Sequence, residues 1–161
     1  MSPLAVVVVI PLAAGVLGLM LARRRFVVVT VAGVSMEPTL RPGDRVLVRR
    51  RGSDSLRIGA IVVFREPDDN LPGAPAPRAA SQRWVIKRIA ALPGCAVPDS
   101  VRPAVGDAEA VPAGMLVVLG DGVRSGDSRQ WGFIPADQAL GLVVRKLAGT
   151  AGPSVTERAG R

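Results

Sequence analysis

The sequence predicts a mostly β protein, a small antiparallel β core carried behind an N-terminal transmembrane helix. Three observations lead there. Short valine-rich runs recur between turn signals, and β-branched side chains favour strands over helices. Six such runs without a strong amphipathic helix imply mostly antiparallel pairing. Ahead of them, Pro3 to Ala22 contains no charged side chain and is almost wholly aliphatic.

A helix of that length, at 1.5 Å rise per residue, is roughly 30 Å long and crosses the hydrocarbon layer. Gly15 and Gly18, costly in a soluble helix, are common in membrane ones. A cleaved signal peptide would need a basic leader, and MSPL has none. No small-x-small cleavage site precedes Arg23, Arg24 and Arg25 either. Residues 1–25 are therefore expected to form an uncleaved anchor with a basic flank. Those arginines favour a cytoplasmic domain by the positive-inside rule. The function argued below places the domain on the opposite side, so charge leaves the orientation open.

The expected domain spans residues 26–147. Phe26 to Val34 (FVVVTVAGV) is its first strand, and Arg41-Pro42-Gly43-Asp44 is a turn. RVLVRR, Arg45 to Arg50, is the second strand, and AIVVFRE, Ala60 to Glu66, is the third. Pro67 to Ser81 is rich in proline and small residues, the composition of an exposed loop. Arg83 to Leu92 fits a strand or a short helix by pattern; its branched residues and the Pro93-Gly94 turn favour a strand. Met115 to Gly120 and Ala139 to Leu147 complete the set. Residues 148–161 lack apolar periodicity and are expected to be a disordered tail.

Composition narrows the chemistry. Aromatics make up 3% of the chain against 48% hydrophobic residues overall, so the core must be aliphatic. The net charge of +8 suits either nucleic acid or an anionic membrane surface. Neither aromatic stacking residues nor a groove-binding helix is evident, so nucleic acid is not an expected partner, and the basic clusters read first as a solvated face and next as a contact for membrane lipids. Cys95 stands alone, which excludes an internal disulfide and a structural zinc site. No metal or other cofactor is expected.

One serine stands out. Ser35 lies in the proline-bounded stretch GVSMEPTLR, between two valine-rich runs, where a nucleophile could be held. A hydroxyl attacks a carbonyl only if a base takes its proton, and the chain has no histidine. A carboxylate near pKa 4 is a poor match, whereas a neutral lysine amine is a good one. Lys87, in the tract VIKRI beside Val85, Ile86 and Ile89, has the apolar setting that favours a neutral amine. To act near neutrality it must fall from about 10.4 to around 7 or 8, roughly 4 kcal/mol. A third polar cluster lies in GDGVRSGDSRQWGFIP, where Ser125, Asp127, Ser128 and Arg129 fall within five residues. Asp127 and Arg129 project on one side of an extended segment and can pair.

Together these blocks resemble type I signal peptidases, the membrane-anchored serine–lysine proteases. SMEPTLRPGD resembles that family's nucleophile block, VIKRIAALPG its lysine block, and Ser125 to Gly132 (SGDSRQWG) its C-terminal block. GAIVVFREP, Gly59 to Pro67, matches a weaker strand block. The likeness covers Phe26 to about Leu147, with order and spacing preserved. It implies that Ser35 is the nucleophile and Lys87 its general base. Ser125 would orient the amine, with Asp127 and Arg129 as a supporting ion pair. The Ser35 N–H would contribute to an oxyanion hole, while Val31, Leu40 and Ile86 would line pockets for small side chains. Also implied are a β-rich catalytic core whose apolar rim dips into the bilayer, exported precursor proteins as substrates, and an extracytoplasmic catalytic domain on a single-pass anchor in the cell membrane.

The match has departures. Gly33 stands where some members carry a serine that completes the oxyanion hole. Cys95 replaces an aspartate in PGC, and GDGVRS lacks the usual asparagine. The short interval before Met115 leaves no room for the second β domain of larger members, which implies a minimal form. Self-cleaving repressors share this core but require a DNA-binding domain where this chain has an apolar stretch. The alternative function is an inactive membrane-anchored β module that binds a protein or lipid partner, for which Ser35 and Lys87 would be unnecessary.

Overall fold

Valine-rich runs on both sides of Ser35 pair with each other, and this pairing begins the sheet. In the computed structural model, the strands β1 (Phe26–Thr30) and β2 (Arg45–Arg50) are antiparallel, with Phe26 opposite Arg49 and Thr30 opposite Arg45. The structure describes residues 23–50, 56–67, 83–123 and 125–147, and a few positions before residue 23. Next come β3 (Ile61–Arg65), β4 (Trp84–Ala91), β5 (Met115–Leu119), the short β6 (Ile134–Pro135) and β7 (Ala139–Leu147). They form one seven-stranded sheet in the order β1-β2-β7-β3-β4-β5-β6. Every pairing is antiparallel.

The last strand lies in the middle. β7 inserts between β2 and β3, which explains why Ala139, Gly141 and Leu142 are buried. Bulges interrupt its register with both neighbours, and bulges increase local twist. Gly141 sits at a tight crossing, where a Cβ would lie 2.1 Å from the Arg49 carbonyl oxygen.

Alternation along the strands divides the core. Val62, Phe64, Ile89, Leu116, Val118 and Leu142 pack in one cluster. Val31, Met36, Leu40, Val46, Val48 and Val63 form a second, which joins the β1–β2 hairpin to the central strands. A third lies beneath residues 92–114, where Val97, Val101 and Val111 pack on Ala91 and Val117. All three are overwhelmingly aliphatic, as the scarcity of aromatics requires.

Several expectations need correcting. The first strand ends at Thr30 rather than Val34, because the chain turns into the Ser35 loop. β6 is an addition, two residues long and half proline, too short to give a periodic signal. Two helical turns, α1 (Arg102–Val105) and α2 (Ser128–Trp131), also appear, and the second occupies what the sequence presents as a polar loop. No described helix is long and apolar enough to cross a membrane. Most of the expected anchor at residues 1–25 lies outside the described residues, as do residues 68–81 of the expected loop and the 148–161 tail.

Candidate active site

Ser35 sits in a loop pinned at its neck. The Val31 N–H donates to the Asp44 carbonyl at 2.8 Å, and the Gly43 N–H to the Val31 carbonyl at 2.8 Å. Gly43 adopts φ 88°, a left-handed conformation that suits glycine. Within the loop, the Leu40 N–H donates to the Met36 carbonyl, and the Glu37–Pro38 peptide is cis. Met36 and Leu40 are both buried, anchoring the loop in the second core cluster. Ser35, immediately before Met36, is half-buried and lines a cleft of about 290 Å³.

Lys87 reaches the same cleft from β4. Its residue is 3% exposed, on the strand face shared with Val85 and Ile89. Ile86 points the other way, into the second cluster, so the lysine's apolar surroundings omit one residue that the sequence suggested. Nζ donates to Ser125 Oγ at 2.9 Å, the one hydrogen bond the described residues give it. An ammonium has three donors to satisfy, and a neutral amine only two. Burial accordingly lowers the Lys87 pKa from its ordinary 10.5, outweighing the opposing pull of Asp127 and Glu66.

Asp127 would be a stronger opponent if it were unpaired. Instead its carboxylate accepts from Arg129 Nε at 2.9 Å and from its terminal nitrogen at 2.7 Å. Burial alone would raise the Asp127 pKa. The Arg129 guanidinium and the Gly120 and Arg129 N–H groups more than offset it, leaving the pKa below 3.8. Lys87 thus faces a neutralised pair, not a bare carboxylate. The pairing expected between Asp127 and Arg129 is present, but its geometry differs. Asp127 is extended and caps α2, while Arg129 lies inside that turn and folds back.

The turn is stitched to the sheet by its own side chains. Beyond the last β6 pairing, β5 offers N–H groups with no strand partner. Ser128 Oγ accepts from Val118 N–H at 2.9 Å, and Asp127 Oδ2 accepts from Gly120 N–H at 2.9 Å. Removing the Asp127 carboxylate would strand buried donors, so Asp127→Ala should destabilise the fold by about 3 kcal/mol. Because the folded pKa is lowered, that stability is present above about pH 4 and lost as pH falls through the folded value. Denaturant midpoints should therefore fall more steeply in acid for the native sequence than for Asp127→Asn.

A second network escaped the sequence analysis. Arg88, next to the lysine but on the opposite face, binds Asp121 through Nε at 2.9 Å and a terminal nitrogen at 2.5 Å. It also donates to the Gly59 carbonyl at 2.7 Å, while Thr39 Oγ1 donates to Asp121 at 2.6 Å. The clamp ties together the Ser35 loop, β4 and the 120–127 loop. Its members sit inside the quoted blocks, as Thr39 of SMEPTL, Arg88 of VIKRIA and Asp121 of GDGVRS, which was the available signal.

Gly120 and Gly122 complete the convergence. The Gly122 N–H donates to the Ser35 carbonyl at 2.9 Å. Val31 and Ile86 line the cleft, but Leu40 does not; it is 2% exposed in the core behind Val31. Among the described residues no group of three or more His, Cys, Asp or Glu side chains could hold a metal ion.

A β domain that buries a lysine amine in a cleft also lined by a serine has the build of a peptidase core. The family model described as "Signal peptidase, peptidase S26" matches residues 4–102 and 98–147, and the chain belongs to that family. It is 32% identical over 133 residues to a probable signal peptidase I-1 of Synechocystis sp., an alignment covering 66% of this chain and 63% of that protein. A probable signal peptidase I-2 of the same organism is 34% identical over 133 residues, covering 66% of this chain and 56% of that protein. The chain therefore spans about three fifths of the length of these curated relatives.

Proposed function

We propose that this chain is a membrane-bound serine endopeptidase that removes signal peptides from exported precursors, with Ser35 and Lys87 as its dyad. The observation that carries this is the buried Lys87 amine, held by Ser125 at 2.9 Å in the cleft that Ser35 also lines. The neutral amine takes the Ser35 proton as Oγ bonds to the scissile carbonyl carbon. The Ser35 N–H stabilises the resulting oxyanion. The Lys87 ammonium then gives its proton to the leaving amine as the C–N bond breaks. In the second half, Lys87 takes a proton from a water that attacks the acyl ester and returns it to Ser35 Oγ as the ester C–O bond breaks, restoring the neutral amine.

Two strand edges favour an extended substrate. β1 is the edge of the sheet, and β5 pairs β4 only from Arg88 onward. An unfolded segment can therefore lie between residues 29–34 and 84–87 as an added strand. Val31 and Ile86 bound the side-chain space there, supported from behind by Leu40, and favour small residues. The anchor, the extracytoplasmic side and contact with membrane lipids belong to the same reading.

The test is cleavage of a secretory precursor by the detergent-solubilised full chain. Mature product should form with the native sequence and fail to form with Ser35→Ala or Lys87→Met. Undiminished cleavage by both variants would overturn the assignment.

A further inference from the structure

Trp131 is the aromatic side chain that meets the lysine. Its ring centroid is 6.0 Å from Lys87 Nζ, and the ring lines the same cleft. Phe64 fixes one side in a T-shaped contact, with centroids 6.3 Å apart and planes at 79°. Gly126, beside the Ser125 hydroxyl, lies under the ring; a Cβ there would be 3.0 Å from Trp131 Cζ2. The backbone is held as firmly. α2 is stitched to β5 through Asp127 and Ser128 and ends at Gly132, φ 70°, against the Ala104 carbonyl.

We infer that Trp131 is a positioning residue that keeps water from the Lys87 amine and narrows the cleft beside it to small side chains. This rests on the dyad reading above. An indole face offers no acceptor lone pair, so it does not replace the water that would hydrate an ammonium. Its attraction for a cation, about 0.5–2 kcal/mol, is smaller than the several kcal/mol lost when a charge leaves water. The ring therefore favours the neutral amine on balance. The charged groups that bear on Nζ are Asp127 and Glu66, which favour the ammonium, and Arg129, which opposes it. None of them changes when Trp131 is replaced.

The experiment compares Trp131→Ala and Trp131→Phe in the full chain. Lys87 and Lys146 are the only lysines, so selective ¹³C labelling yields two side-chain signals, assigned with Lys146→Arg. The Lys87 titration should move upward in Trp131→Ala and remain near its native position in Trp131→Phe. For cleavage, kcat/KM of the alanine variant should fall about tenfold at neutral pH and recover as pH rises. A precursor with leucine before the scissile bond should become a substrate for that variant. If the alanine variant does not melt cooperatively, Trp131→Leu takes its place in the same titration. An unshifted Lys87 signal in a folded variant, or a loss of rate that is equal at every pH, would overturn the inference. The titration requires no cleavage, so an inactive native chain would remove the proposed function while the sealing role is still judged.

Discussion

Lys87→Met is expected to cost about a thousandfold in precursor cleavage and to make the protein more stable. General-base catalysis contributes about 10²–10⁴-fold, and methionine has no lone pair with comparable basicity. Ser35→Ala should cost at least as much, because no covalent intermediate can form. The double variant should be no worse than either single one, since two groups that move one proton between them fail as a unit. Stability runs the other way. With the folded pKa of Lys87 below 10.5, the unfolded chain binds a proton between those two values that the folded chain does not. Stability then rises with pH across that window, and the buried lysine is a burden at neutral pH. Methionine fills similar space without an amine to satisfy, so the unfolding free energy should increase by about 1 kcal/mol. Loss of activity together with loss of stability would identify Lys87 as a structural residue.

Gly120→Ala should be nearly as damaging to activity, although it removes no functional group. A Cβ at Gly120 would fall 2.0 Å from Ser125 Oγ and 2.6 Å from the Ser35 carbonyl oxygen. Real contacts require roughly 1 Å more, and the two groups to be displaced are the hydroxyl that accepts from Lys87 and the backbone of Ser35. A misplacement of about that size costs on the order of a hundredfold in rate. Gly122 has the same role on the next turn, where a Cβ would lie 2.7 Å from the Val34 carbonyl oxygen. The sheet itself should survive, because the groups to be displaced, in Ser125 and Ser35, belong to loops outside the three core clusters. A folded Gly120→Ala variant with undiminished cleavage would mean that Ser35 and Ser125 need not approach each other through this glycine.

The sequence pointed to candidate residues more readily than to local geometry. Ser35, Lys87 and Ser125 stood out as candidates through the proline-bounded turn, the apolar tract and the polar cluster that hold them, while their proposed roles come from the family resemblance. The strands were visible because valine-rich runs recur between turn signals, and β2 and β7 kept their expected ends. The four-residue turn α2 was hidden, since so short a helix has no periodicity, and its decisive bonds run from Asp127 and Ser128 to β5. The Arg88–Asp121–Thr39 clamp joins residues as far as 82 positions apart, beyond any local pattern. Leu40 illustrates a different limit. An apolar residue in a turn can line a pocket or anchor the loop, and only packing distinguishes them; here it is buried behind Val31. Burial of Lys87 follows from strand alternation, but its partner depends on a loop 38 residues away.

The central claim is that Lys87 is neutral enough to take a proton from Ser35. Side-chain ¹³C signals of the two lysines, followed through a pH titration of the full chain in detergent, test it directly. Burial predicts that the Lys87 signal titrates below 10.5 and that Ser125→Ala, which removes its hydrogen-bond partner, changes its chemical shift. A Lys87 signal titrating at or above 10.5 would contradict the account, because an amine that holds its proton there cannot serve Ser35.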